Sequence, residues 1–275
     1  MRLPLYQVDA FTSAVFAGNP AAVCPLERWL DERSMRAIAT ENNLSETAFF
    51  VPAPADGPPG SRYAVGSGRD YDIRWFTPAA EVDLCGHATL ASAFVIFRWL
   101  DPTRTSVTFH SKSGPLVVER AGDLLAMKFP SRPAGACAVP AELVEALGAV
   151  PRETLLSRDL VAVFAAEEEV RALRPDFARV LALGHHAVIV TAPGRDCDFV
   201  SRFFAPSVGV DEDPVTGSAH CTLVPYWSRR LGRRTLHARQ VSARGGELFC
   251  EDLGEHVIIA GHAAPYLEGT IEVPE

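Results

Sequence analysis

The chain opens on alternation. Leu5-Tyr6-Gln7-Val8-Asp9-Ala10-Phe11 places apolar and polar residues in turn, the pattern of a half-buried strand. Gly18-Asn19-Pro20 is a turn signal, and the apolar run Ala21 to Cys24 after it predicts a second strand. From Asp31 to Asn42 the spacing becomes helical, with Asp31 as the cap and Glu32 in the first turn. Strand character returns at Ser45–Val51, Tyr71–Phe76, Thr105–Phe109, Leu116–Glu119, Ala187–Thr191, Val257–Ala260 and Thr270–Val273. Ala88–Leu100, Glu142–Leu147 and Ser218–Leu231 read as helices, and Pro52–Gly60, rich in Pro, Gly and Asp, reads as a surface loop. Many short strands, few long helices and no regular βαβ alternation predict an α+β protein. With no G-x-G-x-x-G, a dinucleotide-binding domain is disfavoured.

A long internal echo runs through this pattern. Phe76-Thr77-Pro78 is followed by Gly86-His87-Ala88 and an apolar helix ending near Leu100. Phe204-Ala205-Pro206 is followed by Gly217-Ser218-Ala219 and a helix ending near Leu231. The echo suggests a duplication, in which two similar lobes face each other and a ligand sits where they meet.

Composition narrows the field. The 275 residues are 48% hydrophobic and 22% charged, enough to bury a core. A formal net charge of -8 argues against a nucleic-acid surface, and the short cluster Arg229, Arg230, Arg233, Arg234 reads as a solvated helix end. The longest apolar candidate, Ala88–Leu100, is too short for a membrane helix. Met1 to Gln7 lacks a basic start followed by an apolar stretch, so no signal peptide is expected. Six cysteines without a C-x-x-C pair fit buried thiols in a reducing cytosol.

Three stretches could carry chemistry. Gly217-Ser218-Ala219 and Gly86-His87-Ala88 each open a predicted helix, where glycine admits close approach and free amides attract a carboxylate or phosphate. Ser218 and His87 could equally be plain helix caps. Glu46, in Asn43-Leu44-Ser45-Glu46-Thr47, stands just before apolar Ala48-Phe49-Phe50-Val51, a setting that suits a general acid/base or simply a solvent-facing strand start. Asp211-Glu212-Asp213 precedes the second helix without matching an EF-hand, no H-E-x-x-H occurs, and no metal or cofactor is expected. Cys85 invites comparison with racemases that use two thiols, but the equivalent place in the second half holds Asp213-Pro214, so a partner thiol is missing.

Taken together, Gln7-Val8-Asp9-Ala10-Phe11-Thr12 through Gly18-Asn19-Pro20, Asn43 to Thr47, Phe76-Thr77-Pro78, Leu84-Cys85-Gly86-His87-Ala88-Thr89-Leu90 and Asp211 to Ala219 resemble the PhzF-like (phenazine biosynthesis-like) family. The resemblance implies a diaminopimelate-epimerase-like fold of two pseudo-symmetric lobes, each a mixed sheet wrapped around a central helix. The expected lobes are 1–118, completed by a last strand at about 267–275, and 119–266, with the active site in the cleft. It implies a cofactor-independent isomerase, cytoplasmic and homodimeric, acting on a small carboxylate-bearing substrate. Carried over by motif, Glu46, His87 and Asp213 are the catalytic set, with Glu46 moving the proton. Ser218, Gly217, Gly86, Asn19 and Ala219 contact substrate. A racemase or epimerase using Cys85, or a binding protein that has kept the fold without the chemistry, are the alternatives.

Overall fold

The computed structural model describes residues 1–54 and 70–274, so most of the predicted loop 52–60 lies outside the described residues. They form two compact units, Met1–Lys128 with Gly261–Glu275, and Phe129–Ala260.

The first unit contains β1 (Arg2–Ala10), β2 (Asn19–Pro25), α1 (Glu32–Asn42), β3 (Glu46–Pro52), β4 (Tyr71–Phe76), the short β5 (Glu81–Val82), α2 (Gly86–Val95), β6 (Ser106–Ser111), β7 (Gly114–Ala121) and β8 (Leu124–Pro130). A closing strand, Ala263–Glu272, pairs antiparallel with β1. From β1 the sheet passes antiparallel to β2, parallel to β3, antiparallel to β4, parallel to β6, then antiparallel to β7 and β8. Nearly every residue of α2 is buried, as expected of a helix apolar all round, and it packs against β1, β2, β3 and β7. The predicted Ala88–Leu100 helix therefore exists, but it begins at Gly86 and its last five residues, Ile96–Leu100, widen into a π-helical turn. On the opposite face of β3, α1 buries Met35, Ile38 and Ala39 against Cys24, Phe49 and Phe76.

The second unit contains β9 (Gly135–Cys137), α3 (Ala141–Leu147), β10 (Glu153–Leu156), β11 (Leu160–Val163), α4 (Glu167–Ala172), α5 (Phe177–Ala182), β12 (Val188–Pro193), β13 (Phe199–Ala205), β14 (Val210–Asp213), α6 (Gly217–Leu231), β15 (Thr235–Gln240), β16 (Gly246–Asp252) and β17 (His256–Gly261). From β10 the sheet passes antiparallel to β11, parallel to β12, antiparallel to β13, parallel to β15, then antiparallel to β16 and β17. This is the pairing sequence of the first unit, strand for strand. β9, antiparallel to β10, takes the part of the closing strand.

Pro225 lies inside α6, where it has no N–H to offer the carbonyl of Cys221. That carbonyl is satisfied from outside the helix by the Arg132 N–H at 2.9 Å, so the helix continues to Leu231. Arg229 and Arg230 form its last turn.

The repeat extends to side chains. Arg74, fourth in β4, grips Glu81 through two hydrogen bonds of 2.8 Å and lies over Phe76. Arg202, fourth in β13, grips Glu212 through bonds of 2.7 and 2.8 Å and lies over Phe204. Each pair fastens a short return strand just ahead of a central helix. Among the described residues no helix is long and apolar enough to cross a membrane.

Candidate active site

Glu46 is placed by the turn before it. Asn43 ends α1 in the left-handed conformation (φ 49°), its N–H returning to the Ala39 carbonyl, and Asn42 Nδ2 donates to Thr47 Oγ1 at 3.0 Å. Two asparagines thus fix the geometry, and Glu46 becomes the first residue of β3, paired in parallel register with Ala21 of β2. Asn19, fully buried, opens that neighbouring strand. The Gly18 before it has φ +66°, and a Cβ there would stand 2.2 Å from the Ala10 carbonyl oxygen, so only glycine fits.

Cys85 occupies the N-cap position of α2 without capping it through its side chain, and Gly86 and His87 form the first turn. Here the expected helix starts move toward the N-terminus, because α2 starts at Gly86 rather than Ala88 and α6 at Gly217 rather than Ser218. Neither His87 nor Ser218 is a helix cap.

Glu46, Cys85 and His87 converge in the first unit. His87 Nε2 lies 3.2 Å from Glu46 Oε2, and Cys85 Sγ lies 3.5 Å from His87 Nδ1. Cys85 and His87 are buried, while the Glu46 side chain keeps 17% of its surface exposed. Oε2 itself is buried and has no hydrogen-bond partner among the described residues, so the 3.2 Å approach is a charge contact without hydrogen-bond alignment. Burial alone would push the imidazole of His87 down, but Cys85 and Glu46 outweigh it and hold its pKa well above the usual histidine range. Burial, reinforced by the Glu46 charge, pushes the Cys85 thiol up to about 11.

The second unit gathers Asp213, Gly217, Ser218 and Ala219 at the start of α6. Thr216, the N-cap residue, does not cap the helix with its side chain but donates its hydroxyl to the Asp213 carboxylate. Gln240 holds the same turn, Nε2 donating to the Asp213 carbonyl at 2.7 Å and Oε1 accepting from the Thr216 N–H at 2.8 Å. A Cβ added to Gly217 would meet nothing within 4 Å, so the first turn opens on free space. Ser218 Oγ accepts from Arg158 Nη2 at 3.4 Å, and Arg158 is tethered in turn by buried Asp159, which His186 also contacts at 2.8 Å. Sequence reasoning missed Arg158, since an arginine ahead of a short apolar strand carries no signal of its own.

Residues 8–269 match the family described as phenazine biosynthesis-like protein (PhzC-PhzF). The chain belongs to that family. Among its phenazine biosynthesis-like relatives, an "uncharacterized isomerase" of Pseudomonas aeruginosa is 50% identical, covering 99% of this chain and all of that protein. The human phenazine biosynthesis-like domain-containing protein is 41% identical over 98% of this chain and 99% of its own length. A PhzF-family crystal structure from Enterococcus faecalis superposes with a TM-score of 0.91 at 46% identity, covering 99% of this chain and all of that one. At 11% identity and a TM-score of 0.61, a hydroxyproline epimerase from Agrobacterium vitis shares the fold. The phenazine biosynthesis-like chain thus has the α+β, epimerase-like architecture that its motifs imply, and relatives with isomerase names.

Proposed function

We propose that the protein is a cofactor-independent isomerase that shifts a proton on a small carboxylate-bearing substrate, with Glu46 as the general acid/base. The observation that carries this reading is the 3.2 Å contact between Glu46 Oε2 and His87 Nε2 in a largely buried cluster that leaves part of Glu46 accessible. Glu46 takes a proton from a carbon next to a carbonyl or unsaturated system and returns it to another carbon. Negative charge builds on the substrate meanwhile, and the preorganised His87 imidazole and helix-start amides stabilise it. One group that removes and returns the proton needs no cofactor.

Asp213 and Ser218 complete the proposed set, with Gly217, Ala219, Gly86 and Asn19 as substrate contacts. The open first turn of α6 suits a carboxylate. As in the family resemblance, the active form is proposed to be a homodimer.

Incubating a panel of small amino, hydroxy and unsaturated acids in deuterated water, followed by NMR, tests the reading. Deuterium should enter one carbon of a substrate, and Glu46→Gln should stop it. Full exchange by Glu46→Gln would refute the mechanism. A second reading, an epimerase with Cys85 as base, draws on the 3.5 Å approach of its sulfur to His87. It requires exchange to vanish in Cys85→Ala.

A further inference from the structure

We propose that Glu46, Cys85 and His87 also form a binding site for a single zinc ion. Their donor atoms all lie within 4.8 Å of one another. Zinc bonds of about 2.3 Å to sulfur and about 2.0–2.2 Å to nitrogen and oxygen put the donors of a tetrahedral site about 3.3–3.6 Å apart. The His87 Nε2 to Glu46 Oε2 separation, 3.2 Å, falls just short of that spacing. Cys85 Sγ lies 4.0 Å from the same nitrogen and 3.5 Å from Nδ1, so it joins the site by turning about its side-chain bond toward Nε2.

The chemistry of the donors selects the ion. A thiolate, an imidazole and a carboxylate suit zinc, whereas magnesium and calcium favour oxygen ligands throughout. Glu46 Oε2 is buried, and its charge contact with His87 lacks hydrogen-bond alignment, so coordination supplies an aligned partner. Charge balances as well. On binding, the Cys85 S–H and the His87 N–H each release a proton to solvent, and the sulfur and nitrogen lone pairs bond to zinc. One thiolate and one carboxylate then neutralise the dication, which limits the cost of burying it. Three protein ligands leave the fourth position for water.

If Glu46 is the acid/base proposed above, the same ion occupies the atoms the proton transfer needs and holds the enzyme inactive until it is removed. That consequence rests on the proposed function; the binding itself rests on the geometry alone.

The test is a titration of the chelator-stripped full chain with cobalt(II), followed by displacement with zinc. One equivalent of cobalt should bind and give the near-ultraviolet charge-transfer band of a thiolate ligand. Cys85→Ala should abolish that band and Cys24→Ala should keep it, with circular dichroism verifying the fold of each. Glu46→Gln should weaken binding by about tenfold or more, which decides the matter even if Cys85→Ala misfolds. Absence of the band in the wild type, its survival in a folded Cys85→Ala, or unchanged affinity in Glu46→Gln overturns the proposal. Stripped protein that exchanges deuterium yet binds no cobalt would sink the zinc site and leave the isomerase reading standing. Cobalt binding without exchange on any acid would do the reverse.

Discussion

His87 Nε2 and Glu46 Oε2 lie 3.2 Å apart, brought together by the first turn of one helix and the first residue of one strand. A carboxylate so placed can accept a proton while the imidazole beside it carries compensating charge. Glu46→Gln keeps the shape and removes the basicity. Its turnover should fall about hundredfold or more, the range typical of a lost general acid/base, with a much smaller change in KM. Steady-state kinetics on whichever acid exchanges deuterium provides the check.

Cys85 separates the two proton-transfer readings. Its thiol, pushed up to about 11 by burial first and by the Glu46 charge second, is protonated at neutral pH. Cys85→Ala should therefore retain isotope exchange within about tenfold, the loss reflecting only disturbed packing against His87. Complete loss of exchange in a folded variant would move the base from Glu46 to the sulfur.

His220 should make the protein sensitive to mild acid. Its ring is fully buried, Nδ1 donates to the Thr216 carbonyl at 2.8 Å, and Nε2 has no partner among the described residues. Burial lowers its pKa to about 4. The folded value lies below the unfolded one, so this stabilisation is complete above about pH 6.5 and is lost as pH falls from there toward 4. The loss should reach roughly 3 kcal/mol by pH 4. Urea midpoints measured from pH 7.5 down to 4.5 should decline in the wild type and decline less in His220→Phe.

The two arginine clasps should differ in strength. Arg202 is nearly buried (10% exposed) and also donates to the carbonyls of Val170 and Leu173, at 3.1 and 3.0 Å, at the end of α4. Arg74 is 26% exposed, and Lys112 shares its partner Glu81, whose carboxyl is held down to about 2, chiefly by Arg74. Arg202→Met should cost about 3 kcal/mol and Arg74→Met, more screened by water, about 1 kcal/mol. Urea unfolding of both variants measures the order, and equal costs would contradict it.

Much of this structure was legible in the chain because its signals are local. Asp31 caps α1, the Tyr71–Phe76 alternation became β4 with those ends, and the glycines at 86 and 217 mark both helix starts. What stayed hidden is what alternation cannot encode. β11 (Leu160–Val163) and β13 (Phe199–Ala205) are buried on both faces, so they lack the polar half of the pattern. The echo was visible in Phe-x-Pro, but the arginine two residues ahead of each phenylalanine, and the glutamate that answers it, acquire meaning only once the strands are paired. Cys85 was noticed as a possible base; its place against both His87 and Glu46 depends on β3 and α2 meeting across the sheet.

The clasp recurs in nearly the same dimensions, yet the helix tips it supports have diverged: Cys-Gly-His in one half, Thr-Gly-Ser in the other. The repeated scaffold thereby hosts a thiol and an imidazole at one tip, and at its twin two hydroxyls held by Asp213 and Arg158. A substitution in the frame can consequently be compared with its match in the other half, where the unequal burial of the two clasps sets how far the costs should differ.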